Sequence, residues 1–453
     1  MIKTLTISGF RGFGKGQDIT FSLPNGKDEG SGLNILVGAN NTGKSSIIEA
    51  IKAFNAVSTF SEGKRNTKCG QRVSLKIIDE RGTNYTINTV PSGGSQADYK
   101  PNGQFLKAYI LPSRRHVEYE FSESSWDKDL YLSYDKLDNR KSSIPRFNNR
   151  LFQMMKNKEE IDDLISFVMG KKINWTIEQN DSSRYYVKFN FGTYYHSSEG
   201  VGDGLWSILT ICDALYDSSA NDIIVIDEPE LSLHPAYQKK VLDLLLRYSK
   251  DRQIIIRTHS PYFISWQAIS KGAALIRTQK NNEFDIEVNS LSDETKTKIG
   301  GYLRDLNNPH VLGLNANEVF FLDDNIIVTE GQEDVVLFGK ALTQSELDIH
   351  GDFYGWGAGG SSKEKTILSI LCDLGYKHVV AIFDGDKRED AEEIEELFKQ
   401  YKIIVLPKDD IRDKDIPEKK VEGIMTEKGR MKDDYKDWFK NEFIDSINRY
   451  FET

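Results

Sequence analysis

The chain has 453 residues, of which 38% are hydrophobic and 28% charged, and its formal net charge is −10. This length exceeds one ordinary hydrophobic core, so two or three domains are expected, and the acidic balance excludes a uniformly basic surface but not a local phosphate-binding groove. No apolar run approaches the roughly 18 residues of a membrane span, and the N-terminus lacks a signal-peptide pattern, which predicts a cytoplasmic protein.

The first motif follows a short apolar run, in the stretch "LNILVGANNTGKSSIIEA". The pattern predicts a buried strand at residues 33–37, a glycine-rich P-loop, and a helix that begins near Lys44. Main-chain N–H groups of such a loop surround phosphates, the lysine reaches the β- and γ-phosphates, and the next hydroxyl binds Mg²⁺. We therefore predict that a nucleotide, ATP or GTP, is bound by Gly38, Asn40, Asn41, Thr42, Gly43, Lys44, Ser45 and Ser46.

Two features lie between the P-loop and the next acidic strand end. In "ILPSRRHVEYEF", Arg114 and Arg115 follow a predicted strand. An arginine there can stabilise phosphate charge, but an exposed arginine pair is usually only solvated, and both interpretations stay open. Residues 141–172 show helix-like apolar spacing, which favours a helical insertion.

Polar side chains follow two further apolar runs. In "DIIVIDEPELSLHP", residues 223–226 predict a buried strand whose end presents Asp227 and Glu228. Beside a P-loop, Asp227 holds Mg²⁺ through water and Glu228 orients or deprotonates the attacking water. In "IIIRTHSPYF" the next strand ends near His259. This position suits a γ-phosphate sensor, although a lone histidine is more often a structural hydrogen-bonding group.

These motifs, together with the opening "LTISGFRGFG", resemble the ABC-type ATPase heads of the structural-maintenance-of-chromosomes and double-strand-break-repair class. The resemblance implies an ATP-binding head at residues 1–310. Residues 197–209, "SSEGVGDGLWSIL", stand where that class has its signature sequence, but they depart from the usual LSGGQ. In such heads the signature contacts ATP bound by another subunit, so the resemblance implies a homodimer or a larger even oligomer.

The segment after residue 325 alternates between strand-like and helix-like patterns. The stretches "NIIVTE", "DFYGWG", "HVVAIFD" and "KIIVLP" are typical of strands, and the stretches between them are typical of helices. This β-α-β-α-β-α-β order predicts a second α/β domain with a largely parallel sheet, at residues 325–453. Clear periodicity is lost around residues 305–325, so the domain boundary is predicted there.

Carboxylates stand at the ends of two of these predicted strands. Glu330 follows the first strand, with Asp334 one turn into the next helix, and Asp384 and Asp386 follow the third. An Asp-Gly-Asp sequence can simply be a turn. In open α/β sheets, however, the functional crevice lies at the carboxyl ends of the strands, and carboxylates that converge there repel one another unless divalent cations hold them. The pattern therefore predicts an Mg²⁺ or Mn²⁺ site.

The sequence Glu330-Gly-x-x-Asp334, followed by Asp384-Gly-Asp386, resembles the Toprim domain of topoisomerases, primases and OLD (overcoming lysogenization defect) nucleases. An ABC-type head followed by a Toprim domain is the arrangement of the OLD family, and the resemblance spans most of the chain. It implies an ATP-regulated, metal-dependent DNA endonuclease. Glu330, Asp334, Asp384 and Asp386 would be the ligands of two metal ions roughly 4 Å apart.

The family commonly carries another acid and a lysine downstream of the last strand. In "LPKDDIRDKDIPEKKVEGIM", Arg412 stands where the family has a glutamate. The lysine is left unassigned, and the candidates for the acid are Asp410, Asp413, Glu418 and Glu422.

The resemblance further implies a role in anti-phage defence, as for Gabija-type nucleases or the OLD effectors encoded beside some retron reverse transcriptases. The implied partners are DNA and either a reverse transcriptase with its DNA–RNA product or a helicase. Two other functions stay open, since fold and site do not fix biology. One is a non-nucleolytic, ATP-dependent switch that binds nucleic acid, and the other is an RNA-cutting toxin.

Overall fold

A computed structural model of the protein describes residues 1–66, 72–90, 94–101, 106–113, 115, 119–133, 147–281, 285–302, 324–354, 357–416 and 419–452. The chain divides into two compact units, Met1–Val288 and Asn289–Thr453. The segment in which the domain boundary was predicted, residues 305–325, lies almost entirely outside the described residues. Residues 141–146 of the predicted insertion lie outside them as well.

The strands of the first unit are, in chain order, β1 (Ile2–Ser8), β2 (Gln17–Thr20), β3 (Leu33–Val37), β4 (Ser74–Asp79), β5 (Asn84–Thr89), β6 (Ala97–Lys100), β7 (Ala108–Leu111), β8 (Asn174–Gln179), β9 (Tyr185–Phe191), β10 (Tyr194–Ser197), β11 (Ile223–Asp227), β12 (Gln253–Arg257), β13 (Ala274–Lys280) and β14 (Ile286–Ser290). The helices are α1 (Lys44–Lys52), α2 (Lys128–Ser133), α3 (Asn148–Lys156), α4 (Lys158–Met169), α5 (Asp203–Tyr216), α6 (Pro235–Tyr248) and α7 (Trp266–Ser270).

A six-stranded sheet of order β14-β13-β3-β12-β11-β7 forms the centre of the first unit. The pairs from β13 through β3, β12 and β11 to β7 are all parallel. Strands β3, β11 and β12 are almost wholly buried, as expected for apolar parallel strands that are covered on both faces. Because the strands are parallel, their carboxyl ends lie on one edge of the sheet. The P-loop after β3 and the ends of β11 and β12 therefore lie at the same edge.

A second sheet is antiparallel, with the order β2-β1-β4-β5-β6. Apolar residues at alternating positions of β1, such as Leu5 and Ile7, face inward because side chains of a strand alternate between its two faces. They share one hydrophobic core with Ile47 and Ile51 of α1. Each fully buried aliphatic side chain of this kind contributes about 1.5–3 kcal/mol relative to an exposed one. The sheet thereby anchors the helix that begins at the P-loop.

The described part of the predicted insertion is helical and is followed by a three-stranded antiparallel sheet of order β10-β9-β8. Arg150 of α3 is buried, and its guanidinium pairs with both oxygens of Asp213 in α5, at 3.0 and 3.1 Å. It also lies 2.7 Å from Asp217 Oδ2 and donates to the Trp126 carbonyl at 2.8 Å. A buried, bidentate ion pair therefore fixes α3 to α5.

The helices of the second unit are α8 (Asp293–Tyr302), α9 (Gln332–Ser345), α10 (Ser361–Asp373), α11 (Arg388–Leu397), α12 (Asp433–Asp437) and α13 (Asp445–Phe451), with a π-helical segment, Trp438–Ile444, between the last two. Its strands are β15 (Ile326–Thr329), β16 (Asp352–Phe353), β17 (Val379–Phe383), β18 (Lys402–Val405), β19 (Asp410–Arg412), β20 (Lys414–Ile416), β21 (Lys419–Val421) and β22 (Gly423–Met425).

Strands β16, β15, β17 and β18 form a parallel sheet in that order, with helices between successive strands. The predicted β-α-β-α-β-α-β arrangement is thus confirmed. So is the predicted α/β class, with a P-loop strand and helix in the first unit and a parallel sheet in the second. Strands β15 and β17 are neighbours, so the residues that follow them, Glu330 and Asp384, lie at the same edge. No helix in the described ranges is both long and apolar enough to cross a membrane.

Candidate nucleotide and metal sites

The loop between β3 and α1 has two positions at which its backbone requires glycine. Gly38 has a φ of +136°, and a Cβ atom there would lie 2.2 Å from the carbonyl oxygen of Thr278. Gly43, at the N-cap of α1, has a φ of +94°, and its Cβ would lie 2.2 Å from Ile286 Cδ1. Only glycine allows these conformations and close approaches. The loop thereby keeps the shape in which main-chain N–H groups at a helix N-terminus can surround a phosphate.

Of the other residues predicted to bind the nucleotide in this loop, some are exposed and some are buried. Asn40 and Asn41 are exposed, whereas Thr42 and Ser46 are buried. The Thr42 hydroxyl donates to the carbonyl of Ala39 at 2.8 Å. The two asparagines can therefore reach a ligand, and Thr42 holds the loop in place.

Lys44 is buried at the start of α1, and its ammonium donates hydrogen bonds to the carbonyls of Gly38 and Ala39, both at 2.6 Å. Burial, followed by the positive charge of Arg257, lowers the pKa of Lys44 to about 8, although the charge of Asp227 opposes this. The ammonium thus lies inside the loop, where it can transfer its hydrogen bonds to phosphate oxygens.

Asp227 and Arg257 lie directly opposite each other at the ends of the parallel strands β11 and β12. Arg257 Nε lies 2.7 Å from Asp227 Oδ1, and the other guanidinium nitrogens contact Glu228 Oε1 and Ser45 Oγ. One guanidinium therefore joins the predicted P-loop hydroxyl to both predicted acids. Glu228 has a φ of +49°, a left-handed conformation that costs a residue other than glycine about 1–2 kcal/mol.

His259 is exposed just beyond the end of β12. Its main-chain nitrogen donates to Glu230 Oε1 at 2.6 Å, and the neighbouring Thr258 hydroxyl donates to Glu230 Oε2 at 2.8 Å. Partial desolvation of the imidazole, and then the charges of Lys44 and Arg257, lower the pKa of His259 to about 4. The side chain is therefore neutral at physiological pH and lies within electrostatic reach of the P-loop lysine.

Arg115, for which sequence reasoning left two roles open, is neither exposed nor merely solvated. It is buried, and its guanidinium donates to the carbonyls of Asp227 at 2.6 Å and Glu228 at 3.2 Å, and to the Ser207 hydroxyl at 3.3 Å. It therefore satisfies main-chain acceptors at the end of β11 and ties them to α5. Arg114 lies outside the described residues.

The segment predicted to replace the signature sequence comprises the end of β10, a short 3-10 turn and the first part of α5. The Ser198 hydroxyl donates to the carbonyl of Tyr119 at 2.6 Å. A Cβ atom on Gly204 would lie 2.5 Å from the carbonyl oxygen of Ser232. Close packing within the chain therefore explains why residue 204 is a glycine. A contact between this segment and a second subunit stays a prediction.

In the second unit, the predicted carboxylates lie close enough to influence one another. Burial, and then the charges of Asp410 and Glu330, raise the pKa of Asp334 to about 6, although its Oδ2 accepts a hydrogen bond from the Gly331 nitrogen at 2.9 Å. Burial, and then the charges of Asp334, Asp410, Glu330 and Asp386, raise the pKa of Asp384 to about 8. Asp334 at the start of α9 and Asp384 after β17 thus belong to one acidic cluster.

The Asp384–Asp386 sequence does form a turn, since Gly385–Lys387 is a 3-10 turn that leads into α11. Asp386 is exposed, as a turn residue commonly is. Asp384 is instead partly buried beside the other acids. The local turn and the acidic cluster are therefore both present.

Glu364, in the first turns of α10, was missed by sequence reasoning. It is 0% exposed, and neither carboxylate oxygen has a hydrogen-bond partner in the described structure. Burial, and then the charges of Glu330, Asp334 and Asp384, raise the pKa of Glu364 well above its usual range. A buried polar group without a partner costs about 1–3 kcal/mol. Its carboxyl group is thus an unsatisfied member of the acidic cluster.

The loop before α10 explains how Glu364 comes to this position. The Ala358 nitrogen donates to the carbonyl of Thr329 at 2.7 Å, and the nitrogens of Gly359 and Gly360 donate to the carbonyl of Glu330 at 2.8 and 3.0 Å. These bonds hold the start of α10 against the end of β15. The sequence signal for this loop was the glycine-rich stretch "GAGGSSKEK", because its three glycines all have positive φ values in a tight loop after a strand.

Of the downstream acids, Asp410 is the one whose charge acts on the acidic cluster. It is buried, and its charge raises the pKa of both Asp334 and Asp384. Lys414 Nζ lies 2.5 Å from Asp410 Oδ2 and 3.0 Å from Glu333 Oε2.

The other downstream candidates have different surroundings. Asp413 pairs with Lys432 at 2.8 Å, and Glu422 pairs with Lys408 at 2.7 Å. Arg412 pairs with Glu333 at 2.5 Å. Glu418 lies outside the described residues. Asp410 and Lys414 are thus the downstream acid and lysine whose charges act on the predicted ligands.

The fit of a divalent cation depends on how these side chains are arranged. Among the described residues, no group of three or more Asp, Glu, His or Cys side chains is placed to hold a metal ion as it stands. The donor set consists of carboxylate oxygens, which Mg²⁺ and Mn²⁺ prefer, and the oxygens of Glu364 lack partners. The chemistry of these residues therefore suits such an ion. Their side chains would have to rearrange to surround it.

Family models match the N-terminal part of the chain. One, described as "AAA domain, putative AbiEii toxin, Type IV TA system", matches residues 68–265, and another, described as "AAA ATPase domain", matches residues 1–91. Both matches lie within the first unit. Together with the P-loop geometry described above, they support ATPase activity and ATP binding in this unit.

The chain is similar to two curated proteins that share one name. Septu protein PtuA of Bacillus thuringiensis is 24% identical over 277 residues, which cover 54% of this chain and 70% of that protein. Septu protein PtuA of Bacillus mycoides (strain KBAB4) is 21% identical over 311 residues, which cover 62% of this chain and 41% of that protein.

Similar solved structures include heads of SMC proteins. The SmcHead bound to the C-winged helix domain of ScpA has a TM-score of 0.45 and 18% identity, covering 65% of this chain and 98% of that chain. The SMC head domain from Thermotoga maritima has a TM-score of 0.39 and 16% identity, covering 64% of this chain and 99% of that chain.

Proposed function

We propose that the protein is an ATP-regulated, metal-dependent nuclease that acts on DNA, with the ATPase domain as regulator and a Toprim-type domain as the catalytic unit. The observation that carries this proposal is the position of Glu330 and Asp384 at the carboxyl ends of neighbouring parallel strands, within one cluster of mutually repelling carboxylates. A cluster of this kind has a chemical use when divalent cations compensate its charge.

Two divalent cations in such a site supply a Lewis acid for the attacking and leaving oxygens of a phosphodiester. Glu330, Asp334, Asp384 and Asp386 are the proposed ligands. Asp410 and Lys414 are the proposed downstream acid and lysine, because their charges act on Asp334 and because they pair with each other. The role of Lys414 is then to hold Asp410 and to present a positive charge toward phosphate.

In the ATPase domain, the proposed roles follow from the P-loop geometry. Lys44 binds the β- and γ-phosphates, Ser45 and Asp227 hold Mg²⁺, and Glu228 orients the attacking water. His259 is the proposed γ-phosphate sensor, and its neutral imidazole suits a hydrogen bond to phosphate oxygen as a donor. By analogy with ABC-type heads, two copies pair about a twofold axis.

The biological setting that we propose is anti-phage defence. The resemblance to the OLD family and the similarity to proteins named Septu protein PtuA support it. A defence partner, such as a reverse transcriptase with its DNA–RNA product or a helicase, remains part of the proposal.

A second candidate function is a non-nucleolytic, ATP-dependent switch that binds nucleic acid. The observation that favours it is that the described acids are not arranged to hold a metal ion as they stand. In this case the second unit would recognise nucleic acid without cutting it.

The experiment that separates the two functions uses full-length wild-type protein and Asp384→Ala. Each is incubated with supercoiled plasmid, single-stranded DNA or RNA, with Mn²⁺ or EDTA. We expect metal-dependent DNA cleavage by the wild type alone, and equal ATP hydrolysis by both. Lys44→Ala should lose ATP binding and alter the control of cleavage without removing the nuclease ligands. Equal DNA cleavage by Asp384→Ala, or none by the wild type, would favour the switch, and cleavage of RNA alone would indicate a ribonuclease.

A further inference from the structure

The positive charge of Arg257 lies where the P-loop meets the acidic strand ends. Arg257 contacts Ser45 Oγ and Glu228 Oε1, and its Nε lies 2.7 Å from Asp227 Oδ1. Ser45 and Asp227 are the positions that P-loop ATPases use to hold Mg²⁺, by the hydroxyl and by the carboxylate respectively. The guanidinium therefore engages the same two side chains that a divalent cation would need.

The backbone fixes Arg257 in this place. It is the register partner of Asp227 in the parallel pair of β11 and β12, and its carbonyl accepts a hydrogen bond from the Glu228 nitrogen at 2.7 Å. The side chain is only 12% exposed, so its charge is weakly screened.

We propose that Arg257 is a nucleotide-binding residue that supplies the counter-charge for the β- and γ-phosphates, so that this head binds ATP without a divalent cation. A guanidinium binds phosphate through paired N–H donors and stays charged at all physiological pH values. The proposal goes beyond the nuclease function and does not depend on it.

Hydrolysis has a different requirement from binding. Arg257 engages Glu228, the carboxylate proposed to orient water, and Asp227, the carboxylate proposed to hold Mg²⁺. ATP turnover therefore requires the guanidinium to leave these acids, and Mg²⁺ is needed for turnover although not for binding.

The test measures equilibrium binding of a fluorescent ATP analogue, and of ATP by competition, to the full-length chain in excess Mg²⁺ and in EDTA. For the wild type, the two Kd values should agree within about threefold. Arg257→Gln should lose at least about tenfold in affinity in EDTA, as expected for a lost charge-assisted contact, and should recover most of it in Mg²⁺. Arg81→Ala is the matched control, because it removes the same charge at a side chain that is 84% exposed.

A second variant covers the case in which Arg257→Gln does not fold. Arg257→Lys keeps the charge, and it should bind the nucleotide in EDTA within about tenfold of the wild type. The proposal is overturned if the wild type loses more than about tenfold in affinity in EDTA, or if it binds no nucleotide at all. It is also overturned if a folded Arg257→Gln binds like the wild type in EDTA, or if Arg257→Lys loses binding there.

Discussion

The main-chain nitrogen of Gly385 donates a hydrogen bond to the carbonyl of Lys408 at 2.9 Å, and this bond joins the loop of Asp384 and Asp386 to the segment that leads to Asp410. A Cβ atom on Gly385 would lie only 2.4 Å from that carbonyl oxygen. The absence of a side chain at residue 385 is thus what allows acids from two separate segments to share one cluster.

Gly385→Ala should therefore lower the free energy of unfolding by about 1–3 kcal/mol, because backbone atoms would have to move apart. It should also weaken Mn²⁺ binding, since Asp384 and Asp410 would separate. Gly339→Ala is the control, because nothing lies within 4 Å of its Cβ position in α9. That change should stabilise the helix by about 0.5–1 kcal/mol. Chemical denaturation and calorimetric titration with Mn²⁺ measure both effects, and equal behaviour of the two variants would contradict the prediction.

The acidic cluster should make stability depend on pH when no divalent cation is added. The pKa values of Asp334 and Asp384 are raised to about 6 and about 8, so the folded protein holds protons that the unfolded chain releases near its ordinary aspartate pKa. The free energy of unfolding should then fall as pH rises from the unfolded aspartate range toward about 8. Thermal unfolding in EDTA should show a lower Tm at the alkaline end of this range.

Asp384→Asn should flatten that dependence, because it removes the group with the higher of the two raised pKa values. Asp434→Asn, at an exposed position, should leave it unchanged. Addition of Mg²⁺ or Mn²⁺ should raise the Tm of the wild type most strongly at high pH. A wild-type Tm that rises with pH across the whole range would show that the carboxylates do not repel one another in the folded state.

Glu364→Gln should weaken Mn²⁺ binding by roughly tenfold while it stabilises the metal-free protein, since it removes a buried ionisable group without hydrogen-bond partners and keeps the shape. Calorimetric titration and thermal unfolding in EDTA measure the two effects. Glu389→Gln, which removes an exposed carboxylate from α11, is the matched control. Unchanged Mn²⁺ affinity in Glu364→Gln would exclude its carboxylate from metal binding.

Glu228→Gln should retain ATP binding and slow hydrolysis by at least about a hundredfold, because the amide cannot accept a proton from the attacking water. Nucleotide binding and phosphate release are measured on the same preparation. Glu29→Gln, at an exposed position, provides the control. Normal turnover in Glu228→Gln would assign water activation to another group, and Glu230, two residues further along the chain, is the next candidate.

The wild-type protein should have the mass of a dimer or larger even oligomer, at least with bound ATP, because an ABC-type site is completed by a second subunit. Light scattering with and without an ATP analogue measures this. A strict monomer in both conditions would leave the segment around Gly204 with only the packing role seen within the chain.

Local patterns in the sequence were sufficient for the P-loop, the acidic strand ends and the alternation of strands and helices in the second unit. Each is a feature of consecutive residues, such as an apolar run that ends in a glycine or an acid. Arg257 and Glu364 carry no such pattern, because their significance comes from neighbours far away in the chain. Arg257 becomes informative only when β12 is known to lie between β3 and β11, and Glu364 only when the loop before α10 is known to fold back on Glu330.

The buried pair of Arg150 with Asp213 has a consequence for protein engineering. A deletion that trims the inserted helices would leave Asp213, at 3% exposure, without its arginine, and breaking a buried ion pair in this way costs about 3–5 kcal/mol. The insertion is therefore not a detachable module. A shortened version of the head would have to replace Asp213 and Asp217 with uncharged residues in the same step. Otherwise the loss of α3 would leave unpaired carboxylates at α5.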